Sequence, residues 1–424
     1  MSKNPATPKR TRAARALRLA LLLPLLATLL SALTNTSAQQ TPQDKQQQRP
    51  RRVGGSAPQE PGAATPKPSS TPTPAGDEID DGDVLRVDTQ LVSVPAVVTD
   101  KTGRPLANLR AADFVLYEDG RPQQISNFAT TEAPFEVALL LDTSGSTRAD
   151  IALIRRAARA FIEALRPGDR VAIIAFNNSE DSTQTLATVD LLSRLTDDRE
   201  ALQKALENIG ASNGTPYYDA LVRISQDIFR DPPSKEMRGR RAVVALTDGV
   251  DSASDADYAE ARTRLQRIGV ASYFIQVNTE DFVEDRLLRD CQEFGTLRLS
   301  RTQLQRYRKI FLPRADATNY EEFCKMGQFE RMQISRSLYD LARREMNDLA
   351  RVLGGKTFPT RDLRDARAAF AEVATEIGTQ YSLGYYPTNK TRDGRFRAIR
   401  VEVRGSNASG AQVRAREGYY APKS

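Results

Sequence analysis

The sequence predicts an α/β protein: a doubly wound, mostly parallel sheet inserted in or flanked by a small antiparallel β-sandwich. Two observations carry this expectation. From Phe135 onward, short strands of near-continuous apolar residues (137–141, 171–176, 242–246 and 271–277) are spaced by helical patterns. Strands apolar on both faces belong to a parallel sheet covered by helices on both sides. Before and after this region the pattern changes. "VLRVDTQLVSVPAVVTD" from Val84, and "GRFRAIRVEVRG" and "AQVRAREGYYAP" beyond Gly378, alternate with a period of two, as strands with one buried face do.

The N-terminus has a different character. Six basic residues (Lys3, Lys9, Arg10, Arg12, Arg15 and Arg18) precede an apolar run over 19–30, and small residues follow up to Ala38. Residues 1–38 therefore read as a secretory signal peptide, with an uncleaved membrane anchor as the alternative; about a dozen apolar residues is short for a span. Cleavage leaves a mature chain with no transmembrane span, destined for the periplasm, the cell surface or the extracellular space. It also lowers the formal net charge from +7 to +1, which argues against a nucleic-acid partner. Residues 39–82, rich in Gln, Pro, Ser and Thr, form an expected disordered linker.

The remaining elements follow in order. Residues 83–132 are an N-terminal β segment, with a turn at "KTGRP" and a hairpin around Asp119-Gly120. Residues 133–378 are the α/β domain. Its first helix shows Ile151, Ile154, Ala158, Phe161, Ile162 and Leu165 at helical spacing before "RPGD" ends it. "KTFPT" and a helix through Ala366, Phe370, Val373 and Ile377 close the domain. Residues 379–424 are a C-terminal β segment. Neither β segment has enough strands to bury both its faces, so the two are expected to pack together with the α/β domain inserted between them. An insertion at about 279–336, much longer than an ordinary strand-to-helix loop, leaves the carboxyl end of the strand at 271–277.

Three short motifs carry the chemistry. The strand at 137–141 runs into "DTSGS", with Asp142, Ser144 and Ser146. "SNGTPYYDAL" offers Thr215, and "LTDGVDS" offers Asp248 just beyond the strand at 242–246. Asp and Ser commonly cap helices, so the first motif alone has that plainer reading. All three, however, lie at strand or loop ends where an open parallel sheet binds its ligands.

Asp-x-Ser-x-Ser, a Thr beside Gly and an Asp in Thr-Asp-Gly, in this order, resemble the metal-ion-dependent adhesion site of Rossmann-like von Willebrand factor type A domains. The flanks "PAVVTDKTGRPLANLRAADFVLYEDGRPQQISNF" and "QYSLGYYPTN" resemble those of bacterial secreted VWFA-related proteins, so the likeness spans about residues 84–422. The resemblance implies a divalent cation, Mg²⁺ first with Mn²⁺ or Ca²⁺ as alternatives. It also implies direct binding by Ser144 and Ser146, direct or water-mediated binding by Thr215, and largely water-mediated binding by Asp142 and Asp248. The open coordination position would take an acidic side chain of a protein ligand.

The expected function is therefore a secreted, metal-dependent, adhesion-type binding module rather than an enzyme. A metal-assisted hydrolase and a scaffold with a purely structural metal are the alternatives. The chain has no histidine, which excludes Ser-His-Asp triads and His-ligated zinc. Within the insertion, Glu280, Asp281, Glu284 and Asp285 either reach the metal from inside the chain or form a solvated helix start. The only two cysteines, Cys291 and Cys324, suggest one disulfide in an exported protein, with two reduced thiols as the alternative. "LRLSRTQLQRYRKIFLPR" either binds acidic polymers or headgroups, or is a solvated helix face.

Overall fold

The computed structural model describes residues 91–423 except 131–132, 146, 148–149, 181–184, 232–239, 294–296 and 406–409. The expected signal peptide and linker, and Ser146, lie outside the described residues.

In chain order, the N-terminal segment forms β1 (Val92–Thr99), β2 (Phe114–Glu118), β3 (Arg121–Gln123) and β4 (Ile125–Ala129). The central region follows with β5 (Glu136–Leu141), α1 (Ile151–Ala164), β6 (Arg170–Glu180), β7 (Thr185–Thr196), α2 (Arg199–Glu207) and α3 (Tyr217–Arg223). It continues through β8 (Arg241–Thr247), α4 (Tyr258–Ile268), β9 (Ala271–Val277), α5 (Glu280–Leu287), α6 (Arg301–Phe311) and α7 (Gln328–Leu353). Strand β10 (Lys356–Thr360) and α8 (Ala366–Gly378) end it. The C-terminal segment holds β11 (Tyr381–Tyr385), β12 (Phe396–Val403), β13 (Gln412–Ala415) and β14 (Gly418–Tyr420).

The central sheet has the order β10-β9-β8-β5-β6-β7. Its pairs from β10 to β6 are parallel, and β7 runs antiparallel on the edge. Strand alternation divides the side chains between two layers. Val137, Leu139 and Leu141 of β5 pack with Phe161 and Ile162 of α1 and with Phe370 of α8. Ala138 and Leu140 face the opposite layer, with Leu221 of α3, Leu265 of α4 and Leu349 of α7. Every residue of β5 and β8 is buried, as a sheet covered on both faces requires. The chain leaves β5 toward β6 on one side and returns through β8 on the other, so the β5/β8 boundary is the topological switch point.

Two differences from the sequence reading have local causes. The stretch that becomes β7 sits where helical pattern was expected. Several of its residues are only half buried, and its register against β6 is irregular, so it lacks the continuous apolar run of its neighbours. Helix α7 begins at Gln328, inside the stretch expected to be the insertion rather than after it. Its first turns carry a buried Arg331, which stacks on Phe323 and donates to the Met326 carbonyl. That charge breaks the apolar periodicity by which a helix is recognised. The helix ends on Gly354, whose φ of 78° is left-handed. Gly355 then lies so close to the Ser272 backbone that no Cβ would fit.

The end segments share two four-stranded sheets, β13-β1-β11-β4 and β14-β12-β2-β3. Strand β1 is antiparallel to β11, with Val94 opposite Leu383, and β2 is antiparallel to β12, with Leu116 opposite Val401. One core joins Val94, Ala96, Val98, Phe114 and Leu116 to Tyr381, Leu383, Tyr385, Ile399 and Tyr419. Polar ties cross the same boundary. Tyr385 and Tyr419 hydroxyls donate to the buried Glu118 carboxylate at 2.6 and 2.9 Å, and the Tyr381 hydroxyl donates to the Leu106 carbonyl at 2.8 Å.

This sandwich touches the central domain where its strands begin: Arg416 lies against Gly269 and Gly354, and Gln380 donates to the Tyr273 hydroxyl at 3.0 Å. Within the insertion, α5 and α6 pack on α7 around a separate core of Leu287, Leu304, Tyr307, Phe323, Ile334 and Leu338. A disulfide joins Cys291 to Cys324, with Cα atoms 5.9 Å apart. Closing a loop over a sequence separation of 33 residues contributes about 4 kcal/mol in the chain-entropy account.

Truncation after Gly378 removes every C-terminal partner of β1 and β2. We expect residues 91–130 then to be cleaved by protease as readily as an unfolded chain. Retained resistance in limited proteolysis would contradict the shared core.

Candidate functional site

At the switch point an aspartate follows directly on each strand, Asp142 after β5 and Asp248 after β8. The Asp142 amide donates to the Leu246 carbonyl at 2.9 Å, which extends the β5–β8 ladder to the last residue before the loop. The Asp142 carboxylate is fully buried. It accepts from the Ser144 amide at 2.9 Å and from the Thr247 hydroxyl at 2.7 Å. Thr147 donates to the Asp142 carbonyl at 2.9 Å and so folds the loop back on itself. Thr143 points away, donating to Phe176 of β6.

Asp248 is 3 % exposed. Its carboxylate accepts from the Val250 amide at 3.0 Å and from the Thr279 hydroxyl at 2.6 Å. Thr279 in turn shares a 2.7 Å hydrogen bond with the Tyr339 hydroxyl. Gly249 takes the left-handed turn after Asp248, with a φ of 75°, and a Cβ there would strike Met346. A side chain at that position is excluded by both conformation and space.

The third loop is pinned to the second. The Thr215 amide donates to Ser252 Oγ at 2.8 Å, and the Ser252 amide returns a bond to the Thr215 carbonyl at 3.0 Å. Helix α3 starts at Pro216 without a cap of its own. The buried Asp251 carboxylate supplies one, accepting from the Tyr217 and Tyr218 amides at 3.0 and 3.3 Å. An acceptor at the free amides of a helix start is favourable both as a hydrogen bond and against the helix dipole.

Electrostatically, the site is strained. Burial, and then the charge of Asp248, push the Asp142 carboxyl up to about 7; the bonds from Ser144 and Thr247 pull the other way. Burial also raises Asp251. Two carboxylates held beside each other away from water repel, and a cation between them would relieve both charges. The donor set fits a hard divalent cation: carboxylate and hydroxyl oxygens, with no sulfur or imidazole. Among the described residues, no cluster of three His, Cys, Asp or Glu side chains exists, so any such site depends on hydroxyls.

Of the five residues expected from the sequence, Ser144, Thr215 and Asp248 line one cavity of about 140 Å³. Asp142 lies directly beneath, bonded to the Ser144 amide. Ser146 lies outside the described residues. The sequence reading missed Thr247, Thr279, Tyr339 and Asp251, which orient the carboxylates or the loops. Thr247 and Asp251 flank Asp248 in the chain and were legible as neighbours of the motif. Thr279 and Tyr339 come from distant elements and carry no local signal.

The acidic residues of the insertion are engaged elsewhere. Glu280 pairs with Arg343 at 2.7 Å, Glu284 with Arg336 at 2.6 Å, and Asp285 with Arg289 at 3.5 Å; none of these, nor Asp281, lines the cavity. The basic stretch is partly structural as well: Arg306 pairs with Glu345 and lies over the Tyr218 ring.

Comparison with known proteins bears on the same region. Residues 137–250, from β5 through the Asp248 turn, match the family model of the von Willebrand factor type A domain. No curated protein sequence matches the chain. Among solved structures, the chain is similar to a von Willebrand factor type A protein from Catenulispora acidiphila, at 13% identity, covering 71% of this chain and 75% of that one with a TM-score of 0.37. It is also similar to the three N-terminal domains of the type V pili tip protein Mfa5 from Porphyromonas gingivalis, at 15% identity, 38% and 26% coverage and a TM-score of 0.23. A third similarity is to the SpRpn10 VWA domain, at 15% identity, 34% and 76% coverage and a TM-score of 0.27. Domains of this family typically serve as protein-interaction modules. Among the described residues no helix is long and apolar enough to cross a membrane. The matched residues run from β5 through β8 and the turn after Asp248, and the α/β unit that contains them has a von Willebrand factor type A-like fold.

Proposed function

We propose that the chain is an exported binding module that grips a carboxylate of a protein partner through a divalent cation, Mg²⁺ or Mn²⁺ before Ca²⁺. Asp142, Ser144, Ser146, Thr215 and Asp248 would hold the cation. The observation that carries this reading is the pair of buried aspartates directly following adjacent strands, with Ser144 and Thr215 beside them on the cavity wall. When bound, the cation supplies a positive centre with an exchangeable position for an anionic oxygen.

The chain's own groups do the rest. Thr247 and the Ser144 amide fix the Asp142 carboxylate, while Thr279, steadied by Tyr339, fixes that of Asp248. Neutral hydroxyls from Ser144 and Thr215 add donors without further negative charge, which leaves the site receptive to an external carboxylate. The sandwich contacts the opposite edge of the sheet, so it leaves this edge open to a partner. The basic and then apolar residues of 1–38, which read as an export leader, are in keeping with the same role.

Isothermal titration with Mn²⁺ tests the site. Asp248→Ala is expected to lower the affinity by at least about tenfold, since a buried charged partner is worth more than an ordinary hydrogen bond. Equal affinity in both proteins would remove the site.

The same titration has a predicted pH dependence. With Asp142 raised to about 7, a proton competes with the cation below that value. Affinity should therefore fall as pH is lowered from 8 to 6, with proton release on binding. Flat affinity across that range would contradict the assignment of Asp142.

A further inference from the structure

The inserted segment roofs the cavity with one end only. Ser300, which caps α6, donates its hydroxyl to the Ser252 carbonyl at 2.7 Å, and Leu299 and Gln303 line the cavity. From there α6 leads away and ends at Phe311. Helix α7 returns, starting at Gln328 and bringing Ser335, Leu338 and Tyr339 to the cavity wall. By the helical rise, both far ends stand roughly 10 Å from the cavity.

This far end is apolar and exposed. Ile310 and Leu312 are 44 % and 38 % exposed, and Phe329 is 93 % exposed. Gln328 donates to the Leu288 carbonyl at 2.8 Å, which holds the exposed Leu288 at the same end. Four of the eight large hydrophobic side chains exposed among the described residues therefore gather here, whereas apolar residues scattered singly would need no explanation. The Tyr307 and Phe311 rings, 5.1 Å apart, tie the last turn of α6 to the core of the insertion and leave Ile310 and Leu312, on either side of Phe311, facing out.

The charges divide in the same way. Nearer the body of the insertion they are paired: Arg301 with Glu321 at 2.9 Å, Lys325 with Glu322 at 2.6 Å and Arg336 with Glu284 at 2.6 Å. Residues 308–314 hold three cations and no carboxylate. Lys309 and Arg314 are exposed, and neither side chain has a hydrogen bond or ion pair among the described residues. Arg308 is held by neutral oxygens, the Ala315 carbonyl at 3.2 Å and the Gln305 side chain at 3.3 Å. Two nearby carboxylates stay outside ion pairs: Asp316 accepts from the Thr318 amide at 3.0 Å, and Glu330 sits in the first turn of α7, where the helix start favours it.

An acidic polymer would use the cations and leave the apolar side chains in water. An apolar protein surface would bury the side chains and strand the cations. A bilayer with anionic headgroups above hydrocarbon satisfies both. We propose that the tip of the insertion, residues 308–314 together with Phe329, docks peripherally on an anionic lipid bilayer. Ile310, Leu312 and Phe329 enter the boundary between headgroups and acyl chains, and Arg308, Lys309 and Arg314 meet lipid phosphates. The contact makes no use of the cation site, so it goes beyond the function proposed above and stands or falls separately from it.

Co-sedimentation of the chain from Gln39 onward with lipid vesicles tests this. Vesicles of phosphatidylcholine with about 30 % phosphatidylglycerol should bind about thirtyfold more tightly than phosphatidylcholine alone, at about fivefold for each of the two free cations, and high salt should remove the difference. Lys309→Gln combined with Arg314→Gln should abolish the preference. Leu312→Ser and Phe329→Ser should each weaken binding to the anionic vesicles by about fivefold, and the exposure of Phe329 means that its replacement leaves the fold intact. Binding should persist in EDTA. No sedimentation of the wild type, equal binding to both vesicles, wild-type binding in both serine variants, or loss of binding in EDTA would each overturn the proposal; the third result would assign the cations to a soluble polyanion instead.

Discussion

Asp142 and Asp248 are the first residues beyond two neighbouring buried strands, and most of the surrounding structure can be understood as holding them there. Burying one carboxylate is unfavourable, and burying two side by side adds repulsion. Asp142 responds by rising to about 7. Hydrogen bonds from Ser144, Thr247, Val250 and Thr279 fix both groups, but they do not cancel the charge. Such an arrangement conflicts with the economy of an ordinary core, and local conflicts of this kind concentrate at functional positions.

The fold contributes by keeping the two ends of the sheet separate. The sandwich joins both chain segments through Glu118, Tyr385 and Tyr419 and rests on the edge where the strands start. The aspartates, the Thr215 loop and the insertion gather at the other edge. Because α5, α6 and α7 have their own small core and a disulfide, the roof is a preorganised wall. A rigid wall lowers the ordering cost of binding, and it narrows what can enter.

Much of this was legible in the sequence. Near-continuous apolar strands identified the covered sheet, and period-two alternation identified the sandwich at the chain ends. The spacing of Asp142, Ser144, Thr215 and Asp248 put chemistry at strand ends, where the topology gathers it. What escaped was long-range or masked by charge. Strand β7 is an edge strand with weak burial, so its pattern resembled its helical neighbours. Arg331 hid the start of α7 by occupying an apolar position. Thr279 and Tyr339 reach Asp248 only because the start of α5 and the middle of α7 fold against it, and no motif announces such a meeting.

The central claim is that the aspartate pair is a liability of the metal-free protein which a cation converts into a binding centre. The metal-free native state keeps a proton on Asp142 that the unfolded chain releases near the ordinary value of 3.8. Its stability should therefore decline as pH rises from about 4 to about 7. Thermal unfolding of wild type and Asp142→Asn, with and without Mg²⁺, reads this directly. Without metal, the variant should melt above the wild type at pH 8, with the difference vanishing near pH 4, and only the wild type should gain stability from Mg²⁺. A variant that melts below the wild type at pH 8 without metal, or that gains as much from Mg²⁺, would contradict the account.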